Sequence, residues 1–158
     1  MVTEARPNTT PTPPFTVVVA DDDRGTREAL ADVLLAQGFK PVLAADGGEA
    51  VEIVQVQLVH LVLFDMHMPR LTGLEALTLL RQTLDRVLPA VLMTADATTE
   101  LLRQALSAQV YSVIPKPVKA NVVVHTLARA IAQVYGPPPT TTPNTGGPTA
   151  APAPPKAG

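Results

Sequence analysis

The sequence predicts an α/β protein built on a parallel sheet, and three observations carry that expectation. Short apolar runs alternate five times with segments of helical periodicity between residues 15 and 136. Four of those runs end on a chemically useful residue: Phe15–Ala20 on Asp21-Asp22-Asp23, Leu61–Phe64 on Asp65, Ala90–Met93 on Thr94, and Val110–Pro115 on Lys116. Prolines mark the edges, because only five of the 17 fall between residues 15 and 136. In an open parallel sheet, ligands bind outside the carboxyl ends of the strands. The acids, the hydroxyl and the ammonium are therefore expected on one rim.

Each element follows in order. Val17-Val18-Val19-Ala20 is an unbroken β-branched run, the pattern of a strand covered on both faces. Thr26 to Gln37 sets Leu30, Val33 and Leu34 on one helical face, and Gly38 is a stop signal. Pro41–Ala45 reads as the second strand, followed by an Asp46-Gly47-Gly48 turn and a helix over 49–57 with Val51, Val54 and Leu58 at helical spacing. Leu61–Phe64 is the third strand. Gly73 precedes a helix carrying Leu74, Leu77 and Leu84. Ala90–Met93 is the fourth strand, and Thr98 or Thr99 caps a helix to about Gln109. Val110–Ile114 is the fifth strand. The last helix, from about Lys119 to Tyr135, aligns Val123, Leu127, Ala130, Ile131 and Val134. Five such units with short loops imply helices on both sheet faces and right-handed crossovers. A Rossmann order and a flavodoxin-like order both fit that count.

A chain of 158 residues allows one domain and little more. Its core is expected to be aliphatic, because aromatic residues make up only 3% and tryptophan is absent. A net charge of −2 without a basic run gives no reason to expect nucleic acid or an anionic membrane as direct partner. The absence of cysteine excludes disulfides and thiolate metal sites. No signal-peptide pattern and no apolar stretch near the roughly 20 residues of a membrane span is present, so a soluble cytoplasmic protein is the expectation. Residues 1–14 and the Pro/Thr/Ala-rich residues 137–158 are expected to be disordered flanks of a folded unit at 15–136.

Adjacent acids repel, so Asp21-Asp22-Asp23 at a strand end calls for a cation, for water, or for a helix N-terminus to cap. Hard cations such as Mg²⁺ take one or two carboxylates together with water and phosphate oxygens. Asp65 at a second strand end offers another ligand, or a carboxylate nucleophile able to form an aspartyl phosphate. Phosphoryl transfer is mainly positioning and charge neutralisation. A hydroxyl at Thr94 and a point-charge ammonium at Lys116 supply what it needs.

These motifs together resemble the receiver domain of bacterial two-component response regulators. The resemblance rests on Val17-Val18-Val19-Ala20-Asp21-Asp22-Asp23, Leu61-Val62-Leu63-Phe64-Asp65-Met66-His67-Met68-Pro69 with Gly73, Val91-Leu92-Met93-Thr94-Ala95, and Pro115-Lys116-Pro117. It covers nearly all of residues 15–136. It implies a flavodoxin-like doubly wound five-stranded parallel sheet, order 2-1-3-4-5, with five helices. It further implies that Asp65 accepts a phosphoryl group from a sensor histidine kinase or phosphotransfer protein. Mg²⁺ would be held by Asp22 directly, by Asp21 through water, by Asp65, and by the main-chain carbonyl of His67. Thr94 would be the switch hydroxyl and Lys116 the ammonium that pairs with the acceptor, in a cis Lys116-Pro117 peptide. The implied protein is a single-domain, chemotaxis-type response regulator. It catalyses only its own phosphorylation and dephosphorylation, and signals to a downstream protein or a second copy through the fourth helix, fifth strand and fifth helix.

Three positions depart from the family pattern. Val113 stands where the family has an aromatic switch residue, and period-two alternation sets Tyr111 on the same strand face. Gln109 replaces the usual glycine before the fifth strand, and His67 puts an imidazole beside the acceptor, read as a solvent-facing side chain. His60 and His125 lack partners at ligand spacing and receive no role. Exposed valines at 122 or 124 are expected on the output face. The competing reading is an aspartyl-nucleophile phosphatase resembling the haloacid dehalogenase group. That group has its general acid two residues after the nucleophile, where this chain has His67 instead of Asp, and has no acidic pair upstream of the nucleophile, so both features disfavour it. A degenerate binding module conflicts with the intact set of Asp21, Asp22, Asp65, Thr94 and Lys116.

Overall fold

A computed structural model describes residues 14–136. The expectations for the two flanking segments lie outside the described residues, apart from Pro14. Ten elements alternate: β1 (Thr16–Ala20), α1 (Arg24–Ala36), β2 (Lys40–Ala44), α2 (Gly47–Val56), β3 (Leu61–Asp65), α3 (Gly73–Thr83), β4 (Ala90–Thr94), α4 (Thr99–Ser107), β5 (Ser112–Pro115) and α5 (Ala120–Tyr135). All pairings are parallel and the order is β2-β1-β3-β4-β5, as the flavodoxin-like reading requires. Pro41, which cannot donate to a ladder, sits in edge strand β2, where that loss is tolerated.

Alternation along the strands divides the core in two. Val18, Ala20, Val62, Phe64, Ala90 and Leu92 face α2 and α3, meeting Val51, Val54, Leu77 and Leu80. Val17, Val19, Leu61, Leu63, Val91, Met93 and Ile114 face α1 and α5, meeting Leu30, Leu34, Val123, Leu127 and Ile131. Every residue of β1, β3 and β4 is buried. That is why these strands read as continuous apolar runs instead of alternating ones.

Several boundaries differ from the sequence reading, each for a local reason. Helix α1 begins two residues earlier than expected because Asp23 is its N-cap, its Oδ2 accepting from the Thr26 N–H at 2.8 Å. Helix α2 includes both glycines after Asp46, and Gly47 packs so tightly that a Cβ there would lie 2.7 Å from Leu71. Leu58 falls beyond α2 and is 63% exposed, so it leaves the apolar face assigned to it. Leu84 is the C-cap of α3 and not part of the helix body. Gln109 follows α4 with φ of 60°, so the left-handed turn is kept with glutamine in the place of glycine. Tyr111 precedes β5 and packs with the α1/α5 cluster, whereas Val113 packs with the other. Alternation places a residue only within the strand, and the strand starts at Ser112.

Candidate phosphoryl and metal site

The rim formed by the C-terminal ends of β1, β3, β4 and β5 gathers the predicted residues. Parallel register sets Ala20 beside Phe64 and Asp65 beside Met93, so the residues that follow β1 and end β3 project at one level. Oxygens of Asp21, Asp22 and Asp65 all lie within 4.8 Å of one another. Asp21 and Asp65 are buried and Asp22 is exposed. Lys116 reaches in from the end of β5, its Nζ 2.9 Å from Asp21 Oδ2 and 3.3 Å from Asp65 Oδ1. The Lys116-Pro117 peptide is cis.

Main-chain contacts fix these side chains. The Asp23 N–H donates to Asp21 Oδ1 at 2.9 Å, leaving Asp21 Oδ2 to Lys116. Arg27, one turn into α1, donates to the Asp21 carbonyl at 2.8 Å. The His67 N–H approaches Asp65 Oδ1 at 3.4 Å, while the His67 side chain points to solvent as expected. Gly73 opens α3 directly against the end of β3, since a Cβ there would stand 2.5 Å from the Asp65 carbonyl oxygen. Thr94 is fully buried at the end of β4. Its hydroxyl accepts from the Asp96 N–H at 3.0 Å and donates to the Asp96 carbonyl at 3.3 Å. Asp23, the third acid of the triplet, is spent on capping α1, and its pKa is lowered first by the Thr26 N–H.

Electrostatically the pocket holds more negative charge than its lysine neutralises. Burial, and then the charge of Asp21, push the Asp65 carboxyl above its ordinary value, with Lys116 pulling the other way. Burial disfavours the Lys116 ammonium, but Asp21 and Asp65 more than offset this and raise its pKa. Three carboxylates against one ammonium make an oxygen-donor set suited to a hard divalent cation. Two oxygens on one Mg²⁺ at about 2.1 Å lie at most about 4.2 Å apart. A group spanning up to 4.8 Å thus fits direct ligation by part of the set and contact through water by the rest.

Sequence reasoning passed over Arg27 and the buttress behind Asp65. The signals were present. Arg27 is one helical turn from the Asp23 cap, and Thr72-Gly73-Leu74-Glu75 spells a capping box in which Thr72 Oγ1 accepts from the Glu75 N–H while Glu75 accepts from the Thr72 N–H. His60 also has partners, but at the opposite end of the sheet. Its Nδ1 accepts from the Thr16 N–H, and its ring lies against Phe15 and Tyr135. His125 is exposed on α5.

Comparison with known proteins gives this arrangement its context. The family described as response regulator receiver domain matches residues 17–128. The response regulator MprA of Mycolicibacterium vanbaalenii is 38% identical over 104 residues, covering 66% of this chain and 45% of MprA. The chain thus spans less than half the length of that relative. The sensor histidine kinase RcsC of Salmonella typhimurium is 34% identical over 112 residues, covering 71% of this chain and 12% of the kinase. Among solved structures, the chemotaxis protein CheY4 of Vibrio cholerae superposes with a TM-score of 0.69 at 24% identity, covering 73% of this chain and 98% of CheY4. That likeness concerns the fold.

Proposed function

The chain belongs to the response regulator receiver domain family, and from that premise we propose that it is a phosphorylatable switch whose acceptor is Asp65. The observation that carries the reading is the Lys116 ammonium held between two buried carboxylates, Asp21 and Asp65, beside a third at Asp22. Such a pocket costs stability unless its excess charge is used. Asp21, Asp22 and Asp65, with the His67 main-chain carbonyl, would hold Mg²⁺, which would neutralise charge on the incoming phosphoryl oxygens.

In this mechanism an Asp65 carboxylate oxygen attacks the phosphorus of a phosphohistidine on a sensor kinase or phosphotransfer protein. The P–O bond forms as the P–N bond breaks, and the leaving imidazole takes a proton from solvent. Lys116 keeps its Asp21 contact and turns its Asp65 contact toward the new phosphoryl oxygens. Thr94 exchanges its hydrogen bond to the Asp96 carbonyl for one to the phosphoryl group. That exchange pulls on the β4–α4 loop and alters the α4, β5 and α5 surface, where Leu102, Leu106 and Val122 are exposed. A downstream protein or a second copy would read that surface. A cytoplasmic location is part of this reading; no helix among the described residues is long and apolar enough to cross a membrane.

The test is to incubate the chain with Mg²⁺ and a small acyl phosphate and follow intact mass. One phosphoryl group is expected, labile to hydroxylamine, absent with chelator and absent in Asp65→Asn. Sustained hydrolysis of phosphate monoesters would replace the switch with a phosphatase, and an unlabelled protein with intact fold would leave a binding module.

A further inference from the structure

Arg81 is the half-buried cation for which the proposed switch has no use. It lies in the last turn of α3, and burial lowers its pKa. Among the described residues it forms no salt bridge. Its partners are three main-chain carbonyls: Nε donates to Ala108 at 3.2 Å, Nη2 to Gln109 at 3.1 Å, and Nη1 to Leu88. Ala108 is the C-cap of α4 and Gln109 is the residue after it. Leu88 lies just before β4. One planar guanidinium, with donors in a fixed fork, therefore ties the end of α3 to the segment before β4, seven residues on, and to the α4–β5 corner, 27 and 28 residues on.

The corner it holds is strained. Gln109 N–H donates to Leu106 and Val110 N–H to Ala105, both at 3.0 Å, the pattern of a Schellman ending for α4. That ending needs a left-handed residue, usually glycine, and here glutamine supplies it at φ of 60°. Ala108 and Gln109 would otherwise present carbonyls without helical partners at the negative end of the α4 dipole. A guanidinium there satisfies both the hydrogen bonds and the field.

The other end of α3 is seated on the acceptor. Gly73 N–H donates to Met66 at 3.0 Å, and Gly73 lies so near the Asp65 carbonyl that no Cβ fits. Helix α3 has 11 residues and so a length of about 16 Å. We propose that α3 is a rigid strut between the acceptor loop and the α4–β5 corner, with Arg81 as the positioning residue that clamps the strained corner to it. The corner has two arrangements. In one, Gln109 is left-handed and the last turn of α4 is closed. In the other, Gln109 relaxes and the turn carrying exposed Leu106 opens. Displacement of the acceptor loop shifts the balance through α3, in parallel with Thr94. The strut rests on the switch reading only for what displaces that loop.

Amide hydrogen exchange on the full chain tests it. In resting protein, Arg81→Met, which keeps the apolar stem, should speed exchange at residues 108–112 tenfold or more and leave β1 and β3 within twofold. Arg81→Lys should not rescue, since one ammonium cannot span three carbonyls. Adding Gln109→Gly to Arg81→Met should recover at least threefold, because the strain that the clamp opposes is gone. With Mg²⁺ and acyl phosphate, wild type should change its exchange at 108–112. Arg81→Met should take the same phosphoryl mass without that change. Exchange at the corner within twofold of wild type, an equal rise throughout the sheet, or a retained phosphorylation response in Arg81→Met would each overturn the strut. A wild-type chain that takes no phosphoryl group defeats only the switch reading, because the clamp is scored in the resting protein.

Discussion

At the C-terminal ends of the strands two carboxylates are buried around one ammonium. At the N-terminal ends, Phe15, His60 and Tyr135 pack ring against ring with centroids 5.2 to 5.9 Å apart. The rings also close main-chain hydrogen bonds: His60 Nδ1 accepts from Thr16 at 2.9 Å and the Tyr135 hydroxyl donates to the His60 carbonyl at 2.8 Å. The aromatic end ties the start of the first strand to the end of the last helix with neutral groups. The acidic end gathers like charges that resist assembly. Stability is generated at one pole and expended at the other, as expected where a site needs charge that folding alone would not select.

The largest effect should come from the backbone behind Asp65. Gly73→Ala would drive a methyl into the Asp65 carbonyl, an overlap that backbone alone must relieve. The expected loss is about 3 kcal/mol in urea unfolding. Alanine at Gly38, where a Cβ meets nothing within 4 Å but φ is 87°, should cost about 1 kcal/mol from backbone strain alone. Equal losses at the two glycines would mean that α3 does not depend on close approach.

Asp65→Asn should act in the opposite sense. The Asp65 carboxyl is raised in the fold by burial and then by Asp21, so folding favours its protonated form. Stability from this group is complete below the unfolded value near 3.8 and is lost as pH rises through the raised folded value. At neutral pH with chelator, the neutral amide should therefore gain about 1 kcal/mol. Mg²⁺ should reverse the ranking, stabilising wild type by about 2.7 kcal/mol at a hundredfold excess over Kd and the variant by far less. A destabilised Asp65→Asn in chelator would show that Lys116 already balances the pocket.

What the sequence disclosed follows the same division. The acidic rim was legible because a parallel sheet turns strand ends into one line, so four short runs sufficed to gather Asp21, Asp22, Asp65, Thr94 and Lys116. The capping role of Asp23 stayed open because an acid before a helix reads equally well as a ligand and as a cap. Tyr111 was misplaced because alternation was extended one residue past the start of β5. Arg81 and His60 were unreadable for a deeper reason. Their partners are main-chain atoms of remote segments, and a carbonyl or N–H carries no residue signature.

The aromatic pole should answer to smaller changes. Tyr135→Phe keeps the ring against Phe15 and His60 but removes the donor to the His60 carbonyl. The expected cost is about 1 kcal/mol in urea unfolding, with phosphoryl uptake unaltered. A change in uptake at this distance would break the division of the molecule into two independent poles.

The smallest effect reverses the pH sign of the rim. His60 Nδ1 accepts a main-chain N–H, so the ring must be neutral there with its proton on Nε2. Protonation would set one N–H against another. Burial first, and then the charge of Arg86, hold its pKa below the usual 6.5. A depressed folded value means the stabilisation is complete above the unfolded value near 6.5 and is lost as pH falls through the folded one. The ring is only partly buried, so the loss should be a few tenths to about 1 kcal/mol after solvent screening. His60→Asn offers an amide oxygen to the same Thr16 N–H without a titrating group, and its urea midpoint should vary less between pH 7.5 and pH 5 than that of wild type. Acid raises stability through Asp65 and lowers it through His60, so combining His60→Asn with Asp65→Asn should leave the flattest profile of the four proteins. If the double variant keeps the wild-type slope, the pH dependence arises from groups at neither pole.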